Sequence, residues 1–517
     1  MVQEKQVDIS VSTADVESQN EAVFGSTRGR ITHLRTDGDE ALAYIQSHAS
    51  DIPELDEKTD RKLLRKIDLY ILPLVCLLYA VQYMDKLSNS YAAIMGLRQD
   101  LNMKGDMYSW TGSAFYLGYL VFELPFAYTL QRFPVVSIVS LYIVIWGILL
   151  CLHATANYPG FIALRTLLGA FESSVTPAFV IVTAQWYKKE EVFLRTAMWF
   201  SFNGLGLILG AGAISYNLHD NIDSYGIEAW KLIFIITGVI TIVLGIAIYL
   251  HIPNKPTEAW FLDETEKRLV VERIRANQQG FGSKHFKKYQ LMEALTDAKI
   301  WLFFFVILSA NIPNGGLTNF GSILLNESFG YSVGQSLKMQ MIPGAVEVVG
   351  CIGFAYLYRF YPNRMFWAFS TNCFAILGLC LLAFAEDKHA QFAGYCLVNL
   401  VPLVMICGLS SFASNVTGHT KKVIGNAIFL IGYCVGNLIG PQTFNESQAP
   451  SYSGAKVTMV VCSCVSQGFL LSIWVLMYRE NKRRDAHASE YEEDEKFENH
   501  EFADLTDKEN PFFRYTI

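Results

Sequence analysis

The sequence predicts an all-α integral membrane protein with twelve transmembrane helices in two six-helix bundles. Three observations predict it. Hydrophobic residues make up 52% of the 517-residue chain and charged residues only 17%, where a soluble domain carries about 25%. Mean hydropathy is +0.26. The charges gather at the two ends and in one central stretch, leaving long apolar segments between.

A spanning helix needs about 20 mostly apolar residues. Such segments fall near 69–95, 109–130, 134–154, 159–186, 195–217 and 229–251, and again near 298–325, 338–358, 365–385, 391–414, 423–444 and 456–478. The predicted organisation is a polar, disordered N-terminal tail over 1–66, an N-terminal six-helix bundle over 67–252, a central loop over 253–296, a C-terminal six-helix bundle over 297–480 and an acidic tail over 481–517. No apolar h-region opens the chain, so no cleavable signal is expected. Net charge is −7, much of it from the acidic tail. The ten cysteines lie inside apolar runs, where cysteine behaves as a small hydrophobe, and ligand spacings for metal are missing. No metal and no cofactor are expected.

Lys and Arg placement sets the orientation. Loops after even-numbered spans carry Arg132, Lys188, Lys189, Arg359, Arg364, Lys421 and Lys422, and the central stretch adds Lys267, Arg268, Arg273, Arg275, Lys284, Lys287 and Lys288. The opposite loops 153–160 and 217–228 contain neither residue type. Both termini and the central loop are therefore expected in the cytosol. Glycines recur in the fifth span (Gly204, Gly206, Gly210, Gly212) and in the eleventh, six spans later (Gly432, Gly436, Gly440). Two readings stand: close helix packing, or packing that also reflects two repeated bundles.

The first span holds the most informative residues. Its apolar run over 71–83 has 13 residues, too few to cross by itself. Either the helix ends at Asp85, or it continues and places Asp85 and Lys86 in the bilayer, where one charge costs about 2.5–3.5 kcal/mol. In the fourth span Arg165 and Glu172 are seven residues apart, two turns along one face and about 10 Å along the axis. They are expected to look to neighbouring helices, with Asp85 the candidate partner of Arg165. Glu123, beside Pro125 in the second span, reads either as a gating contact or as structure. Glu347 is the comparable charge of the C-terminal half. The seventh span instead offers Asn311, Pro313, Asn314, Gly315, Gly316 and Asn319, neutral amides beside a broken helix that suit a polar solute. The histidines lie in tails, loops or helix ends, which leaves carboxylates to carry a proton. Burial favours the neutral acid and a nearby cation the charged form, so an acid whose cationic partner an anionic substrate can claim binds protons conditionally.

At this point the chain resembles a known family, the fungal allantoate permease family in the anion:cation symporter group of the major facilitator superfamily. The resemblance runs from about Arg61 to the C-terminal end. It rests on RKIDLYILPLVCLLYAVQYMDKLSNSYAAIMGL, ALRTLLGAFESSVTPAF, QWYKKEEVFLRTAMWF, VVERIRANQQGFGSKHFKKYQ, SANIPNGGL, GHTKKVIGNAIFLIGYCVGNLIGPQTF and the tail ENKRRD…FADLTDKENPFFRYTI. It implies the superfamily fold, alternating access and uptake of small organic anions with protons. It implies that Asp85 and Glu172 are the proton-coupling acids, that Arg165 is the cation facing them, and that Tyr83 and Tyr119 line the cavity. Lys86 departs from the family's arginine, keeping the charge without the planar fork. LQRFPVVS keeps little of the superfamily's Gly–Asp–Arg–Gly loop, so gating is expected from Glu123 and Arg132. Asn203, Asn311, Asn314 and Asn437 complete the expected substrate-binding set with Tyr83, Lys86, Tyr119 and Arg165.

The function expected is proton-coupled import of an allantoate- or ureidosuccinate-like carboxylate across the plasma membrane, with an internal membrane as the alternative location, by a monomer without nucleic-acid partners. The alternatives are another anion (a nicotinate-like or other vitamin carboxylate, a dipeptide, a sulfur-containing anion) or a nutrient receptor that transports poorly. An ATP-driven pump or enzyme is not expected, because no G-x-x-x-x-G-K-[ST] loop occurs.

Overall fold

The computed structural model describes residues 56–275, 287–486, 506–510 and 513–517. The expectation of a disordered tail over 1–55, Lys284 and most of the acidic tail lie outside them. Among the described residues, eleven helices are long and apolar enough to cross a membrane: α1 Glu57–Asp100, then α3 Val135–His153, α4 Tyr158–Trp186, α5 Glu190–Asp220, α6 Ala229–His251, α7 Ala298–Ser328, α8 Val333–Tyr358, α9 Arg364–Phe384, α10 Lys388–Asn415, α11 Thr420–Gln442 and α12 Ser453–Ala486. The twelfth, α2 Met107–Arg132, has 26 residues. Its Ser109, Thr111, Ser113, four tyrosines and Glu123 dilute its apolarity. No strand occurs among the described residues.

α1 begins within the stretch expected to be tail. Asp56 caps it, accepting a hydrogen bond from the Thr59 amide at 3.1 Å, and Leu63 and Ile67, four apart on one face, are buried. The helix continues past Asp85 and ends in a π turn over Ala93–Leu97, where Gly96 adopts φ +110°. α7, its counterpart six helices on, also ends in a π turn, Leu324–Ser328. The glycine stripes are packing contacts, and they correspond: a Cβ on Gly206 of α5 would lie 2.1 Å from the Ala80 carbonyl of α1, and one on Gly436 of α11 would lie 2.4 Å from the Leu308 carbonyl of α7. Each half thus seats its fifth helix on its first at van der Waals limit.

The end of the molecule that carries both ends of the helical array, here the termini end, is tied within each half. Helix Glu264–Arg275 of the central stretch docks on the first half, where Arg273 pairs with Asp60 at 2.7 Å and also with Glu191. Helix Lys288–Thr296 docks on the second, where the Gln290 side chain accepts from the Thr420 amide at 3.0 Å. The C-terminal segment also lies there. Asp507, fully buried, pairs with Lys299 of α7 and with Lys421 of α11 at 2.6 Å. The Tyr515 hydroxyl donates to Asp507 at 2.8 Å. Thr516 exchanges hydrogen bonds with Asn415 of α10, its amide donating at 2.7 Å and its carbonyl accepting at 2.8 Å. The apolar end of the tail therefore packs on the second bundle, with Tyr515 in its core and Phe513 and Ile517 half-buried against it.

At the far end a belt of polar contacts crosses between the halves. Arg98 pairs with Glu327 at 2.7 Å. The Tyr108 hydroxyl donates to the Asn319 carbonyl at 2.7 Å, and Asn89 donates to the Asn319 side chain at 3.4 Å. The Ser322 amide donates to Ser90 at 3.2 Å, and Ser113 donates to the Leu438 carbonyl at 2.9 Å. At the termini end rings cross instead, Phe193 of α5 lying 4.2 Å from Tyr358 of α8.

Candidate functional site

Between the halves lies a cavity of about 810 Å³ counting its open mouth. α1 contributes Tyr79, Gln82, Tyr83 and Lys86, and α2 contributes Tyr116 and Tyr119. Thr176, Phe200 and Asn203 come from α4 and α5, Asn311, Asn314 and Thr318 from α7, Val401, Pro402 and Met405 from α10, and Leu430 and Tyr433 from α11. The α1 residues recur at three- and four-residue spacing, one face of one helix. On α1, α2, α7 and α11 the belt residues follow the lining residues toward the far end, so the belt closes the cavity there.

The first half brings the charges. The Lys86 ammonium stands 2.8 Å from a Glu172 oxygen, and Gln82 donates to that same oxygen at 2.9 Å. Glu172 is fully buried and its second oxygen has no hydrogen-bond partner in the protein, while Lys86 keeps 12% of its side chain exposed at the wall. Arg165 stands one step behind. Its Nε donates to the Thr111 carbonyl at 3.1 Å, and its Nη1 is unpartnered. The Phe115 ring lies between the two cations, 5.5 Å from Lys86 and 5.6 Å from Arg165. These contacts are within cation–π range.

Asp85 departs from expectation. It accepts a hydrogen bond from Thr241 of α6 at 2.7 Å, and its other oxygen is unpartnered. It does not pair with Arg165. The reason is helical geometry: consecutive residues point about 100° apart, so a helix that aims Lys86 at the cavity aims Asp85 at its neighbour α6. Glu123 and Arg132 are not brought together either. Glu123 is buried and receives a weak bond from the Cys434 thiol at 3.9 Å, whereas Arg132 is exposed over the Tyr128 ring at 5.4 Å. Nine residues of helix put about 13 Å between them.

The second half brings neutral groups. Asn314 donates to Asn437 at 2.9 Å, and Asn437 donates to Asn311 at 3.2 Å. Asn311 and Asn314 face the cavity, and Asn437 stands behind them, fully buried. A Cβ on Gly315 would lie 2.5 Å from the Asn437 carbonyl, so glycine permits the approach that forms the triad. Tyr433 closes the wall against Tyr116 and Tyr119, with ring centroids 6.2 and 6.0 Å apart. Of the expected substrate-binding residues, Tyr83, Lys86, Tyr119, Asn203, Asn311 and Asn314 line the cavity, and Arg165 and Asn437 lie behind it. The sequence reading missed Gln82, Thr241, Tyr116, Thr318 and Tyr433. A signal existed for Gln82, which precedes Lys86 by four residues and so shares its face.

Residues 75–441, well over half of the chain, match the model of the Major Facilitator Superfamily. The chain is 48% identical to the allantoate permease of Saccharomyces cerevisiae, covering 98% of this chain and 96% of that one. It is 50% identical to uncharacterized transporter C417.10 of Schizosaccharomyces pombe, covering 90% and 91%. It is 33% identical to the thiamine pathway transporter THI73 of S. cerevisiae, covering 88% and 86%. Among solved structures it resembles a bacterial homolog of the human lysosomal transporter Spinster in an inward-facing, unoccupied conformation, with TM-score 0.57 and 16% identity over 78% of this chain and 96% of that one. It also resembles the transporter FucP in its outward conformation, with TM-score 0.53 and 14% identity over 78% and 99%. At these identities the structural likeness concerns the fold.

Proposed function

The chain belongs to the allantoate permease family of the major facilitator superfamily, and on that premise we propose that it is a proton-coupled symporter importing a small organic anion of the allantoate or ureidosuccinate kind. It is a multi-pass membrane transporter and not an enzyme.

The observation that carries the reading is the 2.8 Å pair between Lys86 and Glu172, with the lysine at the cavity wall and the acid sealed behind it. An anionic substrate offers Lys86 a second carboxylate. When Lys86 turns to it, Glu172 loses its cation in a place where an unpaired charge is costly, and a proton takes the cation's place. Substrate and proton then bind together or not at all. Arg165 adds positive potential behind the same wall. Asn203, Asn311, Asn314 and Thr318 offer donors and acceptors to the neutral, ureido-like part of the solute. Asp85 acts as a second proton site, working through α6 rather than through the substrate.

We place the protein in the plasma membrane with both termini cytosolic, in keeping with the Lys and Arg bias. The belt around Asn319 is then the outer closure. Segments 67–252 and 297–480 act as the two rocking bodies, the first carrying coupling charge and the second mainly recognition. The test is uptake of labelled allantoate into cells that lack their own carrier. Uptake is expected to fall as external pH rises and to collapse with a protonophore. Uptake indifferent to both sinks the proposal.

A further inference from the structure

One buried acid stands outside the cluster just described. Glu347, on α8, is fully buried, and neither carboxylate oxygen has a hydrogen-bond partner in the protein. Its surroundings are uncharged among the described residues. From α1 comes Tyr83, whose hydroxyl lies within electrostatic reach of Glu347. From its own helix comes Cys351, and beyond that Cys407 of α10. Against the neighbouring turn at Gly344, α5 presents Gly204, Leu207 and Ile208, none of which titrates. Tyr83 itself lines the cavity, whereas Glu347 is not part of its wall.

The position on the seam between the halves gives this acid its meaning. Three residues earlier, Gly344 meets Gly204 of α5 so closely that a Cβ on Gly204 would lie 2.3 Å from the Gly344 carbonyl. Residues three apart share a helix face, so Glu347 lies along the seam that rocking of the halves must open and shut. With the seam shut, as here, a bare carboxylate would face neither a cation nor a hydrogen-bond donor of the protein. With the seam parted, it meets water and exchanges protons freely.

We propose that Glu347 is an additional proton-carrying acid, in the C-terminal half, which takes a proton from water while the α5–α8 seam is open and is sealed as the neutral acid when the seam closes. The carboxylate gains one proton on the side of entry and returns it to water on the side of release. Closure of the halves is thereby tied to protonation at a place the substrate does not touch. The inference rests on the symport reading and adds a proton to its cycle.

The experiment uses the full chain in proteoliposomes holding a pH-sensitive dye, and reads protons moved per labelled allantoate. Glu347→Gln mimics the sealed form and is expected to keep cycling with one proton fewer. Its accumulation across a gradient of about one pH unit should fall about tenfold. Glu347→Asp keeps an acid and should keep the wild-type ratio. A Glu347→Gln protein with the wild-type ratio and pH profile overturns the inference, as does one that is inserted and folded yet neither accumulates nor exchanges substrate. Should that variant fail to fold, the wild type decides: a hydrophobic carbodiimide, which attacks protonated buried carboxyls, should modify Glu347 faster in acid, and no modification at any pH overturns the inference. If wild-type uptake is itself indifferent to protons, the symport reading falls first. If the wild type is proton-driven and the variant matches it, only the Glu347 assignment falls.

Discussion

The Lys86 ammonium and the Glu172 carboxylate stand 2.8 Å apart, one at the cavity wall and the other fully enclosed. Substrate site and proton site thus share a single bond, and the substitutions that matter most are those that leave half of it behind.

Lys86→Gln leaves Glu172 with only the Gln82 amide. Breaking one side of a buried pair costs about 3–5 kcal/mol, so uptake should drop at least about a hundredfold at normal surface abundance. Glu172→Gln should abolish accumulation while leaving exchange of labelled for unlabelled anion. Lys86→Arg keeps the charge and should retain coupling with an altered KM. Direct uptake and counterflow assays separate the three, and unimpaired accumulation by Glu172→Gln contradicts the assignment.

Asp85 bonds Thr241 and turns away from the cavity. Asp85→Asn should therefore lose accumulation while binding substrate with near-normal affinity, within about threefold. Thr241→Val should reproduce part of this loss. Substrate-induced thermal shifts of purified protein measure the affinity, and a large loss of binding in Asp85→Asn would return Asp85 to the substrate wall.

Arg98 and Glu327 pair across the two halves in the far-end belt. Both side chains are partly exposed, so the pair is worth no more than about 1 kcal/mol. Arg98→Glu should shift the population toward the form open at that end by up to about fivefold, and the exchange Arg98→Glu with Glu327→Arg should restore it. Thiol labelling of single cysteines placed next to Asn319 reads the shift.

The docked tail gives a pH prediction. Burial alone would push the Asp507 carboxyl up, but Lys299 and Lys421 more than offset this and hold it below the usual carboxylate range. Such an acid stabilises docking fully above its unfolded value of about 3.9, and the contribution is lost as pH falls through the lower folded value. The tail should stay protected from protease at neutral and mildly acidic pH and come free only below about pH 4. Asp507→Asn should release it at neutral pH and lower thermal stability by about 3 kcal/mol. A truncation at residue 485 removes this part of the bundle, so reduced uptake after it would not by itself argue for a receptor.

Much of this was legible because lipid imposes a simple length rule. Even α2, diluted by its hydroxyl residues and Glu123, kept enough Leu, Phe and Val to be found. The start of α1 at Glu57 was not, since a polar amphipathic turn looks like tail until Leu63 and Ile67 are seen to have something to pack on. Adjacency in sequence misled most at Asp85 and Lys86, where one helical step sends neighbours to different helices. The Asp507 pairs join residues 208 and 86 positions apart, a separation over which no local pattern carries information. Asn311 and Asn314 announced a polar wall, but Tyr433 and Thr318 look like ordinary span residues until α7 and α11 are placed side by side.

The thiol of Cys434 rests on Glu123 where α2 meets α11, one residue beyond Tyr433 of the cavity wall. Cys373 and Cys464 are exposed, whereas Cys434 is fully buried. The natural chain therefore carries its own clock. Alkylation of Cys434 by a membrane-permeant reagent, followed on its own peptide because Cys76, Cys351, Cys396 and Cys407 are buried as well, should proceed only as often as the halves part. The rate at that one peptide, with no engineered label, follows the opening of the gate, and a bound anion that holds the halves together should slow it.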